Sequence, residues 1–531
     1  MGLDSGFEKF NKKEWKEKGF LVPSYDVEKI RLKGKENPHV IHFGAGNIFR
    51  AYTLNLFDKL ISLNMEDRGI ICVSGKDTIN SVYKTHNDYS ILVTLKANGT
   101  IEKKVLGAIA DSVANDDYDT LDAYFKKDSL QFVSFTITEK GYNLFDFSGE
   151  YLSDVKHDIE NGLNSPLSLM GVVTKLLYTR YKCGFKLALL SMDNFSHNGD
   201  KLKDSILKIA VEWNKRGFVE PDFIAYLNNK EMITFPWSMI DKITPRPDEK
   251  VKRILEEDGL TDTKLLVSNR NTFMSSFVNA EEKEYLVIED DFPNGRVKLE
   301  DVGAIFTDKE TVDKVEKMKV CTCLNPLHTA LAIFGCLLGF NKIADEMKDE
   351  TLNSFVRQLA YKECLPVSVD PKIIRPEDFL REVLEERVPN TFLPDTPQRI
   401  ATDTSQKFPI RFGVSLEEYI KRGVDLSSLT FIPLVISGWI RYLTAVDDYG
   451  ELFEISPDPL YVELKPYVDN LYKVTSKDLL RSKLRPILKN KSIFKIDLVE
   501  SGLEDRILDL LIELNEGKGS VRRTLEKYVE E

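Results

Sequence analysis

The 531-residue sequence is poor in cysteine, lacks long hydrophobic runs and carries no excess of positive charge, and each lack removes a class of protein. Six cysteines are scattered, and only Cys321 and Cys323 stand close, as C-x-C with no second Cys/His pair nearby. That spacing argues against a structural zinc site, so no metal is expected, and favours reduced buried thiols in a cytoplasm. The opening stretch, MGLDSGFEKFNKKEWKEKGF, lacks the apolar core of a signal peptide. The longest apolar runs, 329–340 and 429–440, are too short to cross a bilayer and read as buried helices. No membrane partner is therefore expected. A net charge of -12 argues against broad nucleic-acid affinity. It also means that an anionic ligand needs a local cationic pocket. Repeats, low-complexity tracts and Gly/Ser linkers are missing as well.

What is present is a well-packed chain, 42% hydrophobic, long enough for two or more domains. Residues 1–37 are charged and read as a helical surface extension. From 38 to 304, short apolar runs (HVIHF at 39–43, GIICVS at 69–74, QFVSFT at 131–136, FKLALLS at 185–191) alternate with helical patterns. Such alternation predicts an α/β domain built on a parallel sheet. From 305 to 531 the pattern is helical, with helices expected at 329–338, 376–387, 429–442 and 503–528. A cleft between the two domains is the default place for a site.

The first strand runs into GAGNIFR, where Gly44 permits a tight turn and Gly46 lets a pyrophosphate approach a helix N-terminus. Asn47 and Ile48 complete that turn, Arg50 strengthens the phosphate reading, and Phe49 replaces the usual third glycine. The acidic residue expected after the second strand is ambiguous in VSGKD. Asp77 would bind a ribose hydroxyl and favour NAD; Lys76 would tolerate NADP. We favour NAD.

In EKMKVCTCLNPLH, a lysine, an amide and an imidazole (Lys319, Asn325 and His328) open an apolar run. Asn325 and His328, three apart, share a helix face. A deprotonated lysine beside an alkoxide-binding amide oxidises an alcohol without a metal. Further polar density lies in TITEKGYN, with Thr138 and Glu139, and in SMDNFSHNG, with Asp193, Asn194, His197 and Asn198. It continues in FPWSMIDKITP, with Asp241, and in DTPQRIATDTSQK, with Arg399 and Lys407. Taken singly, each also reads as a helix cap, an ion pair or a solvated face.

In their order along the chain, with EDDFPNGR and GWIRYL, these segments resemble the mannitol dehydrogenase family of polyol-specific long-chain dehydrogenases over most of the chain. The resemblance implies a Rossmann-type N-terminal domain, a mostly α-helical C-terminal domain and zinc-independent hydride transfer with a nicotinamide. It places the general base on Lys319, catalytic side chains on Asn325, His328 and Asn194, and substrate contacts on Arg399, Lys407 and Asp241. Gly44, Gly46, Asn47, Ile48, Asp77, Thr138 and Glu139 fall in the cofactor segments. Five residues separate Lys319 from Asn325 where the family has four. Either a bulge absorbs the extra residue, or Lys317 is the base. The PHNG element of the family also differs, with Ser196 in place of proline.

The chemistry requires a lysine whose pKa has come down by roughly 2–3 pH units through burial and cationic neighbours. Glu316 either relays the proton or forms a surface ion pair. The form LNPLHTALA is most similar to members that reduce D-fructuronate to D-mannonate. A uronate calls for Arg399, Lys407 and either Arg246 or Arg411. Mannitol 2-dehydrogenase and tagaturonate reductase chemistry stay open, as does a regulatory protein that kept nucleotide binding and lost catalysis. The expected partner is a small sugar acid or polyol, and the expected assembly a monomer or homodimer.

Overall fold

The structure, a computed structural model, describes residues 1–3, 11–146, 148–268 and 272–530. The chain divides into two compact units, Met1–Asp313 and Lys314–Glu531.

Six strands form the central sheet of the first unit: β1 (Val40–Phe43), β2 (Ile70–Ser74), β3 (Ile109–Ala114), β4 (Phe132–Phe135), β5 (Leu187–Ser191) and β6 (Ile233–Thr234). Their spatial order is β3-β2-β1-β4-β5-β6, and every neighbouring pair is parallel. This is the order of a dinucleotide-binding sheet, which reverses direction beside β1 and leaves a crevice at its strand C-termini. β1, β4 and β5 are buried throughout, as expected of strands covered on both faces. β3 escapes the sequence reading because IADSVA holds Asp111 and Ser112 in an edge strand. Its pattern is neither an apolar run nor a clean alternation.

Besides a two-stranded pairing of Leu266–Val267 with Phe273–Met274, the unit also holds two smaller sheets that the sequence reading does not anticipate. One pairs Phe20–Leu21, Ile101–Leu106, Ser90–Leu95 and Phe277–Glu281; the other pairs Ser238–Asp241, Tyr285–Glu289 and Ile305–Thr307. The expectation of an appended N-terminal segment is corrected here. Phe20–Leu21 runs parallel to Ile101–Leu106, and Ile30 of the helix Val27–Glu36 lies in the same core cluster as Val40, Phe49 and Ile70. Its charges occupy one face while Trp15, Phe20, Val27 and Ile30 are buried.

The second unit is helical apart from one isolated β-bridge, Val446 to Leu452, among the described residues. Its central helix, Asn325–Leu338, buries most of its length, as does Phe431–Tyr442. The continuous helical stretch Lys309–Leu338 is long and apolar enough to span a bilayer, yet 83% of its most apolar window is buried inside the protein. The helix expected over 503–528 is two helices, Glu504–Leu514 and Ser520–Glu530. Gly517 and Gly519, both at positive φ, break the run between them. Glu346 lies fully buried against Gly335, where an added Cβ would stand 2.1 Å from its Oε1. Neither carboxyl oxygen has a hydrogen-bond partner. Burial first, then Asp349, pushes this carboxyl well above its ordinary value.

Candidate active site in two parts

At the C-terminal end of β1, Gly44 adopts φ +91°, and a Cβ there would lie 2.1 Å from the Thr136 carbonyl oxygen. Only glycine fits such a position. Gly46 has open space beside it, its nearest neighbour being the Gly44 oxygen at 3.7 Å. A phosphate can therefore reach the helix start, where the first N–H groups lack intrahelical partners.

The turn is locked from behind. Thr136 Oγ1 donates to the Gly44 carbonyl at 2.9 Å, and the two ring nitrogens of His42 contact Thr136 Oγ1 and Ser134 Oγ at 2.8 Å each. With the Thr136 proton committed to Gly44, His42 Nε2 must be the donor and Nδ1 the acceptor. Burial drives the His42 pKa down to about 3, so the ring is neutral. Phe49, in the place of a third glycine, stacks on His42 at a centroid distance of 4.4 Å.

Arg50 departs from the expectation of a phosphate contact. It is fully buried, with Nη1 donating to the Ser275 carbonyl at 2.6 Å and to Ser90 Oγ at 3.3 Å, and Nη2 to Asn47 Oδ1 at 2.8 Å. Asn47 Nδ2 in turn donates to the Phe273 carbonyl at 2.9 Å. The side chains of Asn47 and Arg50 thus fasten the turn to a neighbouring segment, and the backbone is left for a ligand. Ile48 is half-buried beside them. After β2, Lys76 is exposed and Asp77 half-buried. Asp77 folds back over the strand end, with Oδ1 2.9 Å from the Cβ position of Gly75. A cavity of about 450 Å³ adjoins β2 and β3, lined by Lys76, Asn80, Lys84 and the acids Asp111, Asp116 and Asp117.

The loops after β4 and β5 meet through Asp193. Its carboxylate accepts from the backbone N–H of Ile137 (2.8 Å) and Thr138 (2.9 Å) and from the Tyr142 hydroxyl (2.7 Å). Burial raises its pKa, and the bonds from Ile137, Tyr142 and Thr138 oppose the rise. Thr138 is held at φ +62°, ψ 159°, a region nearly reserved for glycine. Thr138 and Glu139 are exposed at this corner. Asn198 is structural: Nδ2 donates to the carbonyls of Asp193 and Ser238 at 3.0 and 2.9 Å, and Oδ1 accepts from the Ser238 N–H at 3.1 Å. Asn194 is exposed beside Asp193, and His197 stacks on Trp237 at 4.1 Å. Asp241 ends the buried strand Ser238–Asp241. Burial first, then Glu284 and Asp241, pushes the nearby Tyr52 hydroxyl above its ordinary range.

In the second unit, a π-helical turn, Met318–Cys323, interrupts the helical path between Lys317 and Asn325. A π-turn accommodates one residue more than an α-turn. A bulge here is one of the two alternatives that the five-residue spacing leaves open. Lys319 is 2% exposed, whereas Lys317 faces solvent. Asn325 starts the next helix, and His328 follows one turn on. Among the described residues, neither the Asn325 side chain nor the His328 ring makes a hydrogen bond. Burial lowers the His328 pKa to about 4; Asp395 opposes this, and Arg411, Arg387 and Arg399 reinforce it. The imidazole is neutral near pH 7.

Three cations, Arg411, Arg387 and Arg399, thus act on this histidine, and Lys407 lies within reach of Arg411 and Arg399. Arg399, exposed, pairs with Asp395. Lys407 Nζ donates to the carbonyls of Ile400 (2.9 Å) and Thr402. Its pKa falls to about 8 through burial and Arg411, against the pull of Asp403. Arg411 Nη1 donates to Thr329 Oγ1 and, at 3.4 Å, to the Asn325 carbonyl. Arg246, the other uronate candidate, lies in the first unit, over the Phe273 ring at 4.9 Å. Arg387, buried on the turn Val383–Arg387, was not found by sequence reasoning, because LEER reads as a solvated helix face.

A glycine turn on a dinucleotide-type sheet, followed by a helical unit bearing a buried lysine and a cluster of cations, defines a two-domain oxidoreductase. The chain belongs to the mannitol dehydrogenase family: the Mannitol dehydrogenase Rossmann domain matches residues 38–301, and the Mannitol dehydrogenase C-terminal domain matches 311–510. A D-mannonate oxidoreductase of Thermotoga maritima is 46% identical, with 97% of each chain covered. A D-mannonate oxidoreductase of Escherichia coli is 26% identical, over 90% of this chain and 92% of that one. Among solved structures, a substrate-free D-sorbitol dehydrogenase shares the fold at TM-score 0.79, with 24% identity over 96% of this chain and 97% of its own. The Pseudomonas fluorescens mannitol 2-dehydrogenase in ternary complex with NAD and D-mannitol shares it at TM-score 0.71, with 24% identity and full coverage of both chains.

Proposed function

We propose that this oxidoreductase is an NAD-dependent enzyme that interconverts D-fructuronate and D-mannonate without a metal, with Lys319 as general acid and base. The observation that carries the substrate is the likeness to the Thermotoga D-mannonate oxidoreductase along nearly the whole chain. The cations around His328 support it, because an acidic protein needs such a pocket to hold a carboxylate.

The Gly44–Ile48 turn fits a pyrophosphate, since an open Gly46 and a fixed backbone leave room at the helix start. Asp77 is the ribose ligand in this reading, and the acids of the adjoining cavity favour NAD over its 2′-phosphorylated form. Thr138 and Glu139 border the same face. When bound, NAD supplies a hydride acceptor. In oxidation, Lys319 Nζ takes the proton of the reacting hydroxyl, and the amides of Asn194 and Asn325 donate to the oxygen as charge develops. In reduction, Lys319 returns that proton. Neutral His328 binds an adjacent hydroxyl. Arg399, Lys407 and Asp241 hold the remaining substrate oxygens. The reading places the enzyme in the cytoplasm as a monomer or homodimer.

The test is NADH and NADPH oxidation by purified protein with D-fructuronate, D-tagaturonate and D-fructose offered separately. Preference for NADH with D-fructuronate is expected. Preference for D-fructose would move the enzyme to polyol chemistry, and NADH binding without turnover would favour a regulatory protein.

A further inference from the structure

We infer that Arg411 is the carboxylate receptor of this enzyme, the side chain by which it selects a hexuronate over an uncharged ketose. The inference rests on the sugar-acid reading above and names the atom group that makes the distinction.

Arg411 stands on the turn Pro409–Gly413. Its Nη1 is anchored to Thr329 Oγ1 and the Asn325 carbonyl, the first turn of the helix that carries Asn325 and His328. The guanidinium is therefore fixed at one corner. Its Nε and Nη2 make no hydrogen bond among the described residues. Arg411 is half-buried, and the fully buried Arg180 and Arg441 are used differently. Arg180 spreads five hydrogen bonds over four carbonyls, and Arg441 makes four, to three carbonyls and the Thr444 hydroxyl.

Arg411 also lacks an acid. Burial alone brings its pKa down to about 10, with no carboxylate opposing the fall. Arg399 has Asp395, and Lys407 has two carbonyls. A desolvated cation without a counter-ion is unfavourable, and a planar fork with two open N–H directions matches a carboxylate in bidentate geometry. Arg411 further depresses the pKa of Lys407, one turn away. An anion at Arg411 relieves that repulsion, and an uncharged hydroxymethyl group does not.

The experiment compares wild type with Arg411→Gln and Arg411→Lys. Two quantities are read: the ratio of kcat/KM for D-fructuronate to that for D-fructose with NADH, and the thermal shift produced by D-mannonate relative to D-mannitol. In Arg411→Gln the uronate-to-ketose ratio is expected to fall by about 10²-fold, mostly through KM, as for removal of one partner of a desolvated charge pair. Arg411→Lys recovers part of the ratio, because a point charge replaces the fork. NADH fluorescence titration reports whether each variant is folded. An unchanged ratio in Arg411→Gln, or a D-mannonate shift that survives it in full, overturns the inference. Should wild type reduce no ketohexuronate, the functional reading falls by itself, and the thermal shift still decides whether Arg411 receives a carboxylate.

Discussion

Around the Gly44 turn, both nitrogens of His42, the carboxylate of Asp193 and all but Nε of the Arg50 guanidinium are bonded to protein. Around His328 in the second unit, the imidazole, the Asn325 amide and two corners of Arg411 have no hydrogen-bond partner among the described residues. In the function proposed above, the two regions recognise ligands by different means. The first spends its side chains on shaping backbone and leaves main-chain N–H groups for a phosphate. The second leaves side chains uncommitted, so that a polyhydroxylated substrate supplies the missing partners. Specificity for the nucleotide is then a matter of shape, and specificity for the sugar a matter of unpaired polar atoms.

The strongest way to break the contrast is Lys319→Ala, expected to lower kcat by about 10²–10⁴-fold. Exposed Lys317→Ala is expected to stay near wild type, and steady-state kinetics of the pair checks this. Equal losses in both would undo the assignment of the base. Next is Gly44→Ala. A side chain at positive φ costs roughly 1–2 kcal/mol, and its Cβ would meet the Thr136 carbonyl at 2.1 Å. NADH affinity should fall by at least an order of magnitude in a fluorescence titration, with a lower Tm.

Smaller is Asp193→Asn, which keeps the size but removes the charge that holds Thr138 at φ +62°. Loss of charge-assisted bonds of roughly 1–3 kcal/mol predicts about a 5- to 100-fold fall in kcat/KM. Asn194→Ala compared with the double variant would show whether the loop and the amide act together.

The smallest change sharpens the comparison from the other side. Glu346 is also without hydrogen bonds, yet it is sealed from any ligand. Its folded pKa is raised, so its contribution to stability is present in full below the ordinary carboxylate pKa and is lost as pH rises toward the folded value. Glu346→Gln should therefore gain stability over wild type by a few degrees in Tm at pH 8, and by less at pH 4.5. A difference that does not vary with pH would mean the carboxyl is not protonated in the fold.

Much of this was legible in the sequence. β1, β2, β4 and β5 announce themselves as short apolar runs, and GAGNIFR follows the first of them. β3 does not, because an edge strand with Asp111 and Ser112 has no strong period. The integration of residues 12–36 was hidden by their lysines and glutamates, which occupy one face of helices whose other face is buried. Arg50 was misread because a cation beside a phosphate turn looks like a ligand contact, and only its three partners show otherwise. Lys319, Asn325 and His328 are proposed from spacing and resemblance. Arg387 was not, since spacing does not reveal which charge on a helix turns inward.

The π-turn Met318–Cys323 frees the catalytic proposal from chain length. Deleting Val320 would let the segment relax to α-helical winding with one residue fewer, leaving Lys319 in the same orientation relative to Asn325 and His328. Lys317 and Lys319 are two residues apart, so no single deletion exchanges one for the other on the same face. A chain shortened by one residue here would keep its core helix, every side chain named above and the aim of the amine. The π-turn lets the chain carry an extra residue without re-aiming the amine, and an alignment shows it only as a gap.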